Sequence, residues 1–254
     1  MKKWIERIFE LILVFELILV IALIICAVIV GKWYFGMKNE EHVTDEIQNT
    51  VESQSNEDYF SREAWNTLYA QNSDLVGYIH TENNDINLPI VQSKEDDMYY
   101  LRRNFNKKYS SMGTPFVFSD ANPETDANTT VYGHNVMYMK TAMFSPLVKL
   151  AEQENFEKSR TFTIWWKDVK NTYEIADIYV FDETDSNEYA YSARNFYTET
   201  EFNEWISYAE NRNMIQTETK AQYGDQLATL MTCYDFGGTR RLIIVGKLIS
   251  SVSY

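Results

Sequence analysis

The apolar positions fall into two regimes along the chain. From Leu11 to Val30 they run together as LILVFELILVIALIICAVIV, interrupted by one charge, Glu16. A helix rises about 1.5 Å per residue, so this run covers about 30 Å, the thickness of a bilayer's hydrocarbon core. It is longer than the apolar stretch of a cleaved signal peptide. Ile25-Cys26-Ala27-Val28 offers neither a small-x-small cleavage site nor a small residue before a lipidated cysteine. Lys2, Lys3 and Arg7 precede the run and favour an N-terminus held in the cytoplasm. The pattern predicts an uncleaved single-pass anchor, with Glu16 at the cytoplasmic edge or against a partner helix.

Beyond the anchor the pattern shortens. Residues 39–56 are polar and acidic and read as a stalk or a solvated helix. Phe60, Trp65, Leu68 and Tyr69 then recur at helical spacing, with Ser61 as a cap, and predict a helix within 58–74. From Leu75 onward short apolar runs alternate with turns. They predict strands at 75–80, 86–92, 114–119, 129–134, 161–167, 171–182, 226–233 and 241–250. Helical pieces are expected near 142–150 and over Glu199–Asn211, the second inside the long connection 183–225. The expected fold is mainly β, an eight-stranded barrel with a helix before it and a helix in that connection. The expected divisions are 1–38 (cytoplasmic tail and anchor), 39–57 (extracellular stalk) and 58–254 (catalytic domain).

Composition narrows the function. The chain has 254 residues and a formal net charge of −14. Its first 38 residues carry a small basic excess, so the exported part is more acidic still. Such a surface repels nucleic acid. Of two cysteines, Cys26 lies in the anchor, which leaves Cys233 alone in a compartment where cysteines ordinarily pair. That marks Cys233 as a reactive thiol or a buried bystander.

A cysteine nucleophile needs a base and a group to hold the oxyanion. His42 lies in the polar stalk. His80 ends the first predicted strand. His134 ends an apolar strand in VYGHN, after a glycine that permits close backbone approach, and is the stronger candidate. Cys233 ends the strand TLMTC. After the turn YDFGGT, Arg240 and Arg241 open the next strand, so either arginine can reach the sulfur and favour its thiolate.

VYGHN, TLMTC and RRLIIVGKL, in that order, resemble the three signature segments of the sortases, most closely class B. VGYIHTENNDINLPIVQ, MYYLRRNF and TAMFSPLVKL are similar to further segments of that family, and the likeness covers about Asp58 to Tyr254. The resemblance implies a membrane-anchored cysteine transpeptidase on a Gram-positive-type cell surface. Cys233 would be the nucleophile and His134 the general acid/base. Arg241 rather than Arg240 would stabilise the oxyanion, with the Tyr234 backbone N–H as a second donor. The enzyme would cleave a C-terminal sorting signal of exported proteins after Thr, through a thioester. It would then transfer them to an amine of a peptidoglycan precursor, with no metal and no cofactor. A pilin-polymerising sortase is the alternative within the family, and a non-catalytic membrane-tethered binding module the alternative outside it. Two departures stand out. Class B members often carry Ser where Met231 stands, and an acid next to the cysteine where this chain has Tyr234. Asp235, one further on, is expected to be a turn residue.

Overall fold

The strand signals converge on one sheet. The computed structural model describes residues 2–55, 59–83, 85–136, 138–185, 191–235 and 237–254. The strands are β1 (Leu75–Thr81), β2 (Asn87–Val91), β3 (Asn128–Tyr132), β4 (Thr161–Trp166), β5 (Val169–Asp182), β6 (Leu227–Cys233) and β7 (Arg240–Ser253). They lie in the order β2-β1-β4-β5-β7-β6-β3. All neighbours are antiparallel except β3 and β6, which run parallel.

The expected eight strands are corrected to seven among the described residues. The segment expected at 114–119 forms isolated bridges instead of a ladder. Phe116 exchanges both backbone hydrogen bonds with Tyr132 of β3, at 2.9 and 2.8 Å. The residues flanking it bond to β2: Val91 N–H donates to Pro115 O and Val117 N–H to Val91 O, each at 3.0 Å. Pro115 has no N–H with which to extend a ladder. This short piece therefore ties the two edge strands together and curls the sheet, which removes exposed edges.

The helices are α1 (Lys2–Ser53), α2 (Arg62–Gln71), α3 (Gln153–Lys158) and α4 (Glu199–Glu210). The Ser61 hydroxyl accepts from Ala64 N–H at 3.1 Å and starts α2 as expected. A cap of this kind contributes about 1 kcal/mol. The Thr198 hydroxyl caps α4 in the same way, and Phe202, Trp205 and Ile206 bury its inner face. The helical piece near 142–150 is a 3₁₀ turn, Ser145–Ala151, with Pro146 in its first turn.

The chain forms two compact units, Met1–His42 and Val43–Tyr254. In the first, the apolar side chains from Leu11 to Phe35 are exposed. Its helix is long and apolar enough to cross a membrane, with a mean hydropathy of 3.3 in its most apolar window. In the second, Val43, Ile47 and Val51 are buried with Phe60, Trp65, Tyr78 and Trp165. The expected domain boundary at 57/58 lies outside the described residues. The unit that holds the sheet begins fifteen residues earlier, because Val43, Ile47 and Val51 recur every fourth residue and form one apolar helix face.

Asp177 sits at a bulge in β5 and is fully buried. Its Oδ1 accepts from Asn213 Nδ2 at 2.9 Å, while Oδ2 has no hydrogen-bond partner among the described residues. Burial, reinforced by Glu210 and opposed by Lys220, pushes its carboxyl up to about 7 from an ordinary 3.8. Between those values the folded chain keeps a proton that the unfolded chain has lost. Stability therefore falls as pH rises through this window and levels off above 7. Three pH units correspond to a loss of about 4 kcal/mol. Melting temperatures measured from pH 4.5 to 8 are expected to decline in the native chain and to stay nearly flat in Asp177→Asn. A parallel decline in both would show that the carboxyl is not the cause.

Candidate active site

Three strand ends meet at one place, and the register says how. β3 and β6 pair in parallel with Tyr132 opposite Met231, and Gly133 N–H donates to Met231 O at 3.0 Å. Continuing that register brings His134 level with Cys233. The Asn135 side chain closes the approach, donating from Nδ2 to Cys233 O at 2.9 Å. Gly133 leaves room for Phe144 against this strand end. A Cβ there would fall 2.5 Å from the ring of Phe144, well inside van der Waals contact. On the other side of β6, Cys233 pairs directly with Arg241 of β7. The structure thus gathers His134, Cys233 and Arg241 from three sequence segments.

His134 is oriented from below by the 3₁₀ turn Tyr99–Arg102. Its Nε2 lies 2.8 Å from Leu101 O. A carbonyl oxygen can only accept, so Nε2 carries a proton. In the neutral ring the lone pair is then on Nδ1. Burial pushes the imidazole pKa down, the Leu101 bond opposes this, and the Arg102 charge adds to the lowering. The net lowering favours the neutral ring. Gly113 supports the Leu101 carbonyl from behind. It has φ +66°, and a Cβ would fall 2.7 Å from that oxygen.

Arg241 is held hard. Its Nε donates to Glu183 Oε1 at 3.0 Å and its Nη2 to Glu183 Oε2 at 2.6 Å, a bidentate pair. Nη1 donates to Gly238 O at 2.9 Å and Arg240 O at 3.2 Å. Among the described residues, one Nη2 hydrogen is left over for another acceptor. The Arg241 side chain is 17% exposed. Arg240, by contrast, is exposed and turned to its own hairpin. Its Nε donates to Asp235 Oδ2 at 2.7 Å and its guanidinium lies over the Tyr234 ring. Asp235 is the turn residue expected of it.

Tyr234, the second expected oxyanion donor, is placed differently. Its N–H is already donated to Arg240 O at 3.0 Å, as the hairpin's own hydrogen bond. His80 stands elsewhere, against Tyr59 and Trp165. Met231 packs into both described core clusters.

Glu183, Leu101, Asn135 and Tyr191 were not singled out by the sequence. Tyr191 lies close enough to be affected electrostatically by Glu183, Arg241 and Cys233, although burial is the main cause of its raised phenol pKa. Its ring packs edge-on against Phe181, the residue opposite Arg241 across β5 and β7. Glu183 follows the last residue of β5 and supplies the carboxylate that holds Arg241. No local sequence signal marks it. Asn135 and Leu101 each had one, as the third residue of the GHN segment and as the leucine of MYYLRRNF.

Comparison with known proteins gives a consistent picture. A model of the sortase domain matches residues 79–249. Sortase B of Listeria monocytogenes is 28% identical over 195 residues, covering 74% of this chain and 75% of that protein. The crystal structure of Clostridium perfringens sortase B is 29% identical, with a TM-score of 0.65, and covers 73% of this chain and 100% of that one. A Staphylococcus aureus sortase B–substrate complex has a TM-score of 0.74 at 23% identity, covering 85% and 99% of the two chains, and supports the fold.

Proposed function

The chain belongs to the sortase family as a class B cysteine transpeptidase, and from that premise we propose that Cys233, His134 and Arg241 perform its chemistry on sorting signals. The observation that carries this reading is the meeting of the β3, β6 and β7 ends, which brings these residues into adjacent positions. Membership in an enzyme family sets aside the binding-module alternative.

In the proposed reaction Nδ1 of His134 takes the thiol proton and the Cys233 thiolate attacks the carbonyl after Thr. Negative charge moves to the carbonyl oxygen, where the remaining Nη2–H of Arg241 meets it. Collapse breaks the C–N bond, His134 gives its proton to the departing amine, and a thioester remains on Cys233. An acceptor amine then attacks the thioester, the C–S bond breaks and the thiol is restored. With the Tyr234 N–H engaged in the hairpin, Arg241 is the oxyanion donor in this scheme.

The substrates are exported proteins with a C-terminal sorting signal, and the acceptor is a cell-wall precursor amine. A Staphylococcus aureus sortase B of this fold has been captured as a substrate complex. The apolar segment of α1 would anchor the enzyme in the cell membrane, with its N-terminus in the cytoplasm and the catalytic domain outside. Anchoring raises the local concentration of enzyme where substrates emerge. The full-length chain in detergent, offered fluorogenic peptides with NPQTN-like and LPxTG-like motifs, is expected to cleave one class after Thr. Failure to cleave any sorting peptide, with the protein folded and the thiol free, would contradict the reading.

Glu183 acts in this scheme as a positioning residue, because its bidentate bond fixes the guanidinium plane. Glu183→Gln keeps one acceptor and loses the pairing. It is expected to lower kcat about tenfold with little change in KM, and Glu183→Asp to recover part of the loss. An unchanged kcat in Glu183→Gln would remove Glu183 from the account.

A further inference from the structure

The rungs of a parallel ladder are evenly spaced, so each one fixes where the next is due. Between β3 and β6 the Leu227 N–H donates to Ala127 O at 2.7 Å at one end, and the Gly133 N–H donates to Met231 O at 3.0 Å at the other. Two residues on, the rung due is Asn135 N–H to Cys233 O. Among the described residues that backbone bond is not formed. The Asn135 side chain makes it instead, donating from Nδ2 to Cys233 O at 2.9 Å. The backbone has turned to other partners. Asn135 bridges Met143, the Phe144 N–H donates to His134 O at 2.9 Å, and the Val136 N–H donates to Ser145 Oγ at 2.7 Å. Met143 takes a φ of +50°, in the left-handed region that most side chains avoid. The two strand ends therefore part directly beyond His134 and Cys233.

The side-chain rung acts on the peptide that follows the nucleophile. A peptide unit is planar, so holding its oxygen and its hydrogen fixes the torsion ψ of the residue before it. Asn135 holds the Cys233 oxygen. On the opposite side Arg240 O accepts the Tyr234 N–H at 3.0 Å. The second bond belongs to the β6–β7 hairpin and comes with the fold. The first depends on one half-buried side chain.

Resting on the transpeptidase reading above, we propose that Asn135 is a positioning residue for the reaction. Its amide replaces the backbone rung that β3 gives up. The strand ends can then diverge beside the reacting groups while the Cys233–Tyr234 peptide stays clamped, and the thiol keeps its place level with His134. The bond requires a donor at position 135, because a carbonyl oxygen only accepts. Asparagine supplies one on a short stem and sets no charge beside the thiolate. Aspartate has the same shape and, when ionised, no hydrogen to give.

The test uses the full-length chain in detergent with a cleavable sorting peptide, and expresses rates per reactive thiol counted by alkylation. Asn135→Ala is expected to lower kcat about ten- to a hundredfold, the cost of a misplaced reacting group, and to leave KM nearly unchanged. Asn135→Asp, which keeps the shape and lacks the donor, is expected to lose at least as much. Asn135→Gln, with the amide on a longer stem, is expected to regain part of the loss. A role in stability alone would instead lower the melting temperature and leave kcat per reactive thiol intact. Native kcat in Asn135→Ala or Asn135→Asp would overturn the proposal. So would a loss confined to KM, or an Asn135→Gln variant no better than Asn135→Ala. Absence of peptide cleavage by the native chain would refute the transpeptidase reading, and the role of Asn135 with it.

Discussion

Replacing Cys233 with alanine will abolish both peptide cleavage and acyl transfer, lowering the rate by about 10⁴-fold or more, as removal of a covalent nucleophile does. The fold should tolerate the change. Cys233 is partly exposed at the end of β6 and forms no disulfide, and its backbone pairing with Arg241 does not depend on the side chain. Surface substitutions of this kind usually alter stability by less than about 0.5 kcal/mol. Melting temperature and activity will therefore separate cleanly. Residual cleavage above a few per cent in well-folded Cys233→Ala would mean that another group attacks the peptide.

The second large effect distinguishes two adjacent arginines. Arg241→Ala will lower kcat/KM by about 10²–10³, the cost of losing one oxyanion donor, whereas Arg240→Ala will stay near native activity. The difference follows from what each guanidinium already holds. Arg240 is bonded to Asp235 within its own turn. Arg241 sits opposite Cys233 and is pinned by Glu183, with one Nη2 hydrogen to spare. Arg241→Lys should recover little, because an ammonium cannot reproduce the bidentate pairing that orients the donor. The Arg241–Glu183 pair is partly exposed, so its loss should change the melting temperature only slightly. A large loss in Arg240→Ala together with an active Arg241→Ala would reverse the assignment.

What the sequence revealed were features whose cause is local. Ser61 before an apolar stripe marked the start of α2. The runs ending at His134 and Cys233 and the run opened by Arg240 and Arg241 marked three strand ends, and their order carried the family resemblance. Features that depend on distant partners were not legible. Phe116 reads as part of an ordinary strand, yet it joins two sheet edges because β2 and β3 come within reach of it. Leu101 lies 33 residues from His134 and Glu183 lies 58 from Arg241, so no spacing rule links them. The Tyr234 N–H looked available because the hairpin hydrogen bond that consumes it forms only when β6 and β7 pair. Val43, Ile47 and Val51 did carry a helical signal. The acidic residues between them made the segment read as solvated.

The most direct test of the account is the intact mass of the full-length chain, quenched with acid during turnover of a sorting peptide. The expected result is an adduct equal to the peptide fragment ending in Thr. It should be located on Cys233 by peptide mapping, be released by hydroxylamine and be absent from Cys233→Ala. Rapid cleavage with no adduct on Cys233, under conditions that trap thioesters, would contradict the nucleophile assigned here.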